Sequence, residues 1–212
     1  MTPDALLDLL RARRSVRRFR PEPPPRDLLE RLVEAAVTAP SASNKQPWRF
    51  VIVTDRPRIE ALAAAVREAV ERIAGHVDPS AVDAFRAYGD YFTRFEAAPA
   101  LIVALHRGLT ILSNLVDDAL DPADRARIEA MERQSGLIGT ALALENLLLM
   151  AHALGLGASG MTGPLVADDR LRALLDVPPS WNITALVPVG WPAEAPGPTA
   201  RKPAASVIRW VP

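Results

Sequence analysis

Cysteine is absent from the 212-residue chain. Its absence excludes disulfides, thiolate metal sites and cysteine nucleophiles. A redox enzyme of this composition must borrow its electron carrier. Net charge is absent too, since 25 basic side chains balance 25 acidic ones. Binding to a phosphate backbone needs a large basic excess, so no general nucleic-acid surface is expected. Aromatic residues are few, at 5%. His76, His106 and His152 are scattered and show no metal-ligand spacing. No Gly-x-Gly-x-x-Gly follows a predicted strand, and there is no phosphate-binding Gly-Lys-Ser/Thr loop. Ser135 and Ser159 have no neighbouring histidine and acid, so no hydrolase triad is expected. The N-terminus has no basic start followed by an apolar core. It does not read as a signal peptide, and a cytoplasmic location is the default expectation. The longest apolar stretch, within Leu137–Leu156, is interrupted by Glu145, Asn146 and His152. It is expected to be a buried helix rather than a membrane span.

What is there suits one domain over 1–212, with 49% hydrophobic residues to build a core. Thr2 before Pro3 reads as a helix cap with proline in the first turn. Apolar residues at helical spacing predict helices over 26–38 and 58–74, the second closed by Gly75. A helix is also expected over 80–96, carrying Phe85, Tyr88, Phe92 and Phe95. Strands are expected over 48–54, 101–105 and 183–189, with a last one over 206–210. Asp121-Pro122 opens another helical region. The stretch 135–154 is apolar almost all round, as in a helix at the centre of a fold or dimer. Residues 168–175 read as a short helix, and 107–120 carry no clear pattern. Prolines make 21–25 an extended connector and 191–203 an arm. Helices and strands mix without strict alternation, which favours α+β.

Two segments bear on chemistry. Arg13, Arg14, Ser15 and Arg17 stand in Arg-Arg-Ser-Val-Arg just past a helix. Such a run is most often a solvated face. Its forked guanidinium donors and hydroxyl also suit phosphate. Ala39–Trp48 gathers hydroxyls and amides into one loop before a strand. That is either an ordinary capping loop or a set of neutral partners for a heteroaromatic edge. Glu145, in the most apolar helix, is expected to need a hydrogen-bonding partner. His152, at a helix end, is expected to cap or pack.

Together these segments resemble the nitroreductase family. The family pairs an Arg-x-Ser-x-Arg motif with an Ala-Pro-Ser-x-x-Asn-x-Gln-Pro-Trp loop about two dozen residues later. Both stand here in that order and spacing. The likeness continues through Ala151–Gly157, Met161-Thr162-Gly163-Pro164 and Arg201-Lys202-Pro203. It implies an α+β fold with a central, mostly antiparallel sheet flanked by helices, in an intertwined homodimer. It implies FMN as cofactor and NAD(P)H as electron donor. Arg13, Ser15 and Arg17 would hold the phosphate and ribityl chain, with Arg14 alongside. Arg201 and Lys202 would close on the phosphate from a C-terminal arm, 191–212. Pro40, Ser41 and Ser43 would line the isoalloxazine, with Asn44 and Gln46 nearby. Met161, Thr162 and Gly163 would lie by the reactive N5 edge. A ping-pong cycle would pass electrons to a nitroaromatic, quinone or activated alkene. The same fold also supports reductive dehalogenation, flavin fragmentation or simple FMN binding.

The chain departs from the family in two places. Many relatives carry a tryptophan before the Thr-Gly pair, where this chain has Ala158-Ser159-Gly160-Met161. Some relatives place an asparagine on the flavin from the segment equivalent to 91–96. Here that segment has none, and Tyr91 and Arg94 are its candidates for a substitute. It lies in a variable excursion, 75–120, expected to form a lid.

Overall fold

The computed structural model describes residues 2–211. It has six helices and four strands: α1 (Pro3–Ala12), α2 (Arg26–Ala36), β1 (Trp48–Val53), α3 (Arg56–Ala74), α4 (Val82–Gly89), β2 (Ala100–His106), α5 (Pro122–Ala153), β3 (Gly157–Ala158), α6 (Asp168–Leu174) and β4 (Asn182–Gly190). The strands form one antiparallel sheet in the order β1-β2-β4-β3.

Helix starts follow local chemistry. Thr2 accepts the Ala5 N–H at 3.2 Å, and Asp55 accepts that of Arg58 at 3.0 Å. Asp121 accepts the Ala123 and Asp124 N–H groups at 2.9 and 3.3 Å. Each cap satisfies donors that a helix start leaves unpaired, and proline follows within the first two positions.

The central strands β2 and β4 are buried on both faces. Strand alternation sends Ala100, Ile102 and Ala104 into a core under α2 and α5. Leu101, Val103 and Leu105 go into a second core with Ile59, Leu62 and Val66 of α3 and Leu171 of α6. A bulge between Ala104 and Leu105 shifts the register against β4.

Three elements differ from the pattern expected of the sequence. The helix expected over 80–96 ends at Gly89, and a 3-10 segment, Asp90–Ala97, continues it. A Cβ at Gly89 would stand 2.5 Å from Val70 Cγ1, so close packing on α3 fixes this break. The expected strand over 206–210 is not formed. A short 3-10 turn, Ala204–Ser206, is followed by irregular chain, and Trp210 is 86% exposed. Finally, α5 is not buried all round. It packs Ala143, Leu144, Leu147 and Ala151 into the first core and leaves Leu137, Ile138 and Leu142 exposed. It is also long and apolar enough to span a membrane by length and composition, and 33% of its most apolar stretch is buried.

Candidate active site

The Arg-Arg-Ser-Val-Arg segment leaves α1 as an extended strand. Val16 donates its N–H to the Ala158 carbonyl at 3.1 Å, and Ser15 bridges to Ala158 in parallel. Val16 is buried against Gly157, where a Cβ would lie 2.6 Å from Val16 Cγ1. Only glycine lets the segment sit this close to β3. Extended alternation turns Val16 inward and leaves Arg13, Ser15 and Arg17 on the other side.

The C-terminal arm lies alongside. Arg20 donates to the Trp191 carbonyl at 2.8 Å, and Ala193 to that of Arg18 at 3.0 Å. Arg14 donates to the Gly197 carbonyl at 3.2 Å, to that of Arg13 at 2.8 Å and to that of Arg11. Its guanidinium ties the arm down. Arg201 thereby reaches a cavity of about 320 Å³ that Arg11, Arg13, Arg14 and Thr199 also line. Lys202 is exposed beside it. A second cavity, about 360 Å³, is lined by Ser15, Arg17, Arg18, Arg94 and Glu194. Arg18 stands 3.6 Å from Glu194. A larger cavity of about 510 Å³, mainly apolar, holds Val16, Arg20 and His152.

Among the described residues, two buried polar atoms lack hydrogen-bond partners: Arg13 Nε and Ser159 Oγ. Glu145 Oε1 lies 3.4 Å from Arg13 Nε, within ion-pair range but out of hydrogen-bond alignment. Glu145 itself is half exposed rather than buried. An orphaned buried donor is costly unless a ligand completes it. Arg13, Ser15, Arg17 and Arg201 therefore fit a phosphorylated ligand with a polar chain, as FMN is.

Met161 exchanges both backbone hydrogen bonds with Leu186, at 2.8 and 2.9 Å. This pairing fixes the next two residues in place. Thr162 is exposed. A Cβ on Gly163 would stand 2.2 Å from Phe92 Cδ1, so the 3-10 segment rests on it.

The 40–46 loop stands apart. Ser41 Oγ accepts the Gln46 N–H at 2.9 Å. Ser43, Asn44 and Gln46 have φ of 48°, 50° and 46°. Left-handed backbone at non-glycine residues costs on the order of 1 kcal/mol each and tends to mark functional loops. Ser43, Asn44 and Gln46 are exposed. Pro40, Ser41 and Ala42 line a separate cavity of about 220 Å³ with Ile138, Gly139 and Leu142 of α5. The structure thus gathers Arg13, Arg14 and Arg201 in one cavity, sets Ser15 and Arg17 in another, and leaves Pro40, Ser41 and Ala42 beside α5.

Sequence reasoning missed Glu132. Its carboxylate is buried and accepts the N–H groups of Ile111 (2.6 Å), Leu112 (2.5 Å) and Ser113 (3.4 Å) and the Ser113 hydroxyl (2.5 Å). The Ser113 hydroxyl, with those N–H groups, holds the carboxyl below its ordinary range. Nothing in the charged run around Glu132 distinguishes it beforehand. His106 pairs Nδ1 with Thr184 Oγ1 at 2.8 Å, and burial lowers its pKa. Among the described residues no metal-binding cluster occurs.

Comparison with known proteins matches residues 10–191 to the nitroreductase family. The chain is 34% identical over 213 residues to a Thermus thermophilus NADH dehydrogenase, covering 93% of this chain and 92% of that one. It is also 34% identical over 198 residues to the 5,6-dimethylbenzimidazole synthase of Rhodobacter capsulatus, with 89% and 84% covered. Two solved structures share the fold. A BluB-like flavoprotein from Clostridium difficile superposes with a TM-score of 0.83 at 22% identity, covering 98% of this chain and 99% of that one. An iodotyrosine deiodinase bound to FMN and 3-iodo-L-tyrosine gives 0.73 at 23% identity, covering 98% and 99%. With its antiparallel sheet between helix layers and a match spanning most of its length, the chain belongs to the nitroreductase family, a family of oxidoreductases.

Proposed function

We propose that this protein is an FMN-dependent oxidoreductase, working as a homodimer, that passes electrons from NAD(P)H to a nitroaromatic, quinone or activated alkene. Bound FMN supplies the electron exchange through its N5 edge, alternating between donor and acceptor. The observation that carries this proposal is the gathering of Arg11, Arg13, Arg14 and Arg201 around one cavity, with Arg13 Nε ion-paired to Glu145 but without an aligned hydrogen bond. Arg13 and Arg201 grip the phosphate by charge-assisted hydrogen bonds, while Arg14 holds the arm in place. Ser15 and Arg17 continue the cradle along the polar chain of the cofactor. The backbone of Met161, Thr162 and Gly163, fixed by the Leu186 pairing, presents polar groups to the reactive edge.

Pro40, Ser41, Ser43, Asn44 and Gln46 serve the site from the partner subunit. In support, their loop lines a cavity with exposed α5 side chains rather than facing the arginines of its own chain. Leu137, Ile138 and Leu142 form the apolar face that the partner covers. The relative described as an NADH dehydrogenase supports a nicotinamide donor.

The synthase relative favours a second reading, specialised flavin chemistry on one dedicated substrate. Gly160, two residues before Thr162, is exposed, and a Cβ there would meet nothing within 4 Å, which suits unselective acceptors better. Initial rates with NADH or NADPH against a quinone or nitroaromatic test the proposal. Parallel double-reciprocal lines are expected. An FMN-loaded protein that turns over no such acceptor would move the assignment to the specialised chemistry or to simple FMN binding.

A further inference from the structure

The cavity of about 510 Å³ lies outside the proposed cofactor cradle. Val16 lines it, whereas Arg13, Ser15 and Arg17 line the two smaller cavities. One extended segment thus separates cradle from cavity. The floor is apolar, with Val16 and Leu156 both buried. The roof is the C-terminal arm, residues 192–196. The arm is fastened at two points. Arg20 donates its N–H to the Trp191 carbonyl, and Ala193 to that of Arg18. Further on, the Arg14 guanidinium donates to the Gly197 carbonyl. Residues 194–196 bridge the gap. Three basic side chains, Arg14, Arg20 and His152, also line the cavity. Arg14 is spent on backbone carbonyls. Among the described residues, neither Arg14 nor Arg20 has a carboxylate within ion-pair range. Glu194, the carboxylate in the lining, faces Arg18 at 3.6 Å. Positive charge is therefore in excess around an apolar floor. The volume falls within the range of small-molecule sites, about 300–1,000 Å³.

We propose that this cavity is an effector site for an apolar monocarboxylate. The apolar body lies on Val16 and Leu156 beneath the arm, and the carboxylate meets Arg20 and His152. Charge selects the class. A neutral apolar molecule leaves Arg20 without a partner, and a cation is repelled by Arg14 and Arg20. An occupant also covers the inner side of Pro192, Ala195 and Pro196, and so holds the arm down. That arm brings Arg201 to the cavity it shares with Arg13. Occupancy therefore tightens FMN binding across the segment, and FMN tightens the effector by the same factor. The coupling rests on the FMN assignment above; the ligand site does not.

The test titrates octanoate, octanol and octylammonium by calorimetry into wild type, Arg20→Gln and Ala12→Trp. Octanoate is aliphatic and has no planar ring to stack on a flavin, which keeps it apart from the proposed acceptors. Arg20 and Ala12 line the cavity and are exposed, so both replacements leave the core intact. Octanoate should bind wild type, octanol about tenfold more weakly, the order of one charge-assisted contact, and octylammonium not at all. Arg20→Gln should weaken octanoate about tenfold and keep its FMN affinity, and Ala12→Trp should fill the cavity and abolish octanoate binding. Saturating octanoate should tighten FMN about fivefold in a fluorescence titration. No octanoate binding, or binding equal in all three proteins, overturns the site. Octanoate that displaces FMN sits on the phosphate arginines instead and overturns it too. Octanoate bound in the cavity with FMN affinity unchanged overturns the effector role. Wild-type protein that binds octanoate but no FMN overturns the FMN assignment and leaves the ligand site standing.

Discussion

Gly136 provides a sign test of how tightly the 107–113 segment is held on α5. Replacing a glycine inside a helix with alanine ordinarily stabilises by about 1 kcal/mol. At Gly136 the added Cβ would stand 2.1 Å from the Arg107 carbonyl oxygen and 3.1 Å from its carbon. Carbon and oxygen approach to roughly 3.3 Å, so the backbone must retreat by about 1 Å. That backbone is pinned on both sides. Arg107 donates to the Pro47 carbonyl at 3.0 Å, and Leu109 to that of Glu132 at 3.2 Å. Overpacking costs about 1–3 kcal/mol, and a pinned backbone puts this site at the upper end. Loss of one hydrogen bond adds about 1 kcal/mol. After subtracting the helix gain, Gly136→Ala should destabilise by about 2–3 kcal/mol. For a chain of this size the melting temperature should fall by about 5–10 °C. Gly139 is the control, three residues along the same helix. Its Cβ would meet Pro47 Cγ at 3.3 Å and Ser41 Cβ at 3.4 Å, contacts that small side-chain shifts relieve. Gly139→Ala should stay within about 1 kcal/mol of wild type, because the helix gain offsets the crowding. Thermal and urea unfolding of both variants at one FMN concentration make the comparison. A Gly136→Ala protein as stable as wild type would refute the close contact of α5 with the 107–108 backbone.

Further predictions follow from the site and its supports. Arg13→Ala and Arg201→Ala should each lose FMN on dialysis, since each removes a charge-assisted phosphate contact of about 1.5–3 kcal/mol. Full flavin retention in both would refute the phosphate assignment. Glu132→Gln should speed limited proteolysis within 107–120, because the carboxylate binds three backbone donors there. The Glu132 carboxyl is held below its ordinary range. Its contribution is therefore complete above the unfolded pKa of about 4.3 and is lost as pH falls through the lower folded value. Wild-type protein should thus become protease-sensitive in this segment only in acid. Leu142→Glu should convert dimer to monomer in sedimentation, by placing a charge in the exposed apolar face of α5. Wild-type protein that already sediments as a monomer would contradict the proposed dimer, and an unchanged dimer in Leu142→Glu would contradict the α5 contact.

Much of the fold is legible in local chemistry. Thr2-Pro3 and Asp121-Pro122 mark helix starts because a capping oxygen and a fixed φ act within a few residues. The strands Ala100–His106 and Asn182–Gly190 are visible as apolar runs because both faces of the sheet are covered there, and Trp48–Val53 as one because its side chains still pack into both cores. The illegible parts depend on distant partners. Gly89 looks like one more helical residue until Val70 is set against it. Val207, Ile208 and Trp210 have strand-like composition, but among the described residues no strand lies beside them, and they are exposed. The all-apolar look of 135–154 conceals two faces, one packed on the sheet and one open. The site divides the same way. The arginines and the 40–46 loop stand out as motifs, whereas Glu132 and the seating of Phe92 on Gly163 exist only through tertiary contact.

The most direct test of the central claim is the visible spectrum of the purified protein, followed by anaerobic addition of NADH and then NADPH. Yellow protein that bleaches with either nucleotide is predicted, and the faster donor identifies the physiological one. Colourless protein that takes up no added FMN would contradict the account.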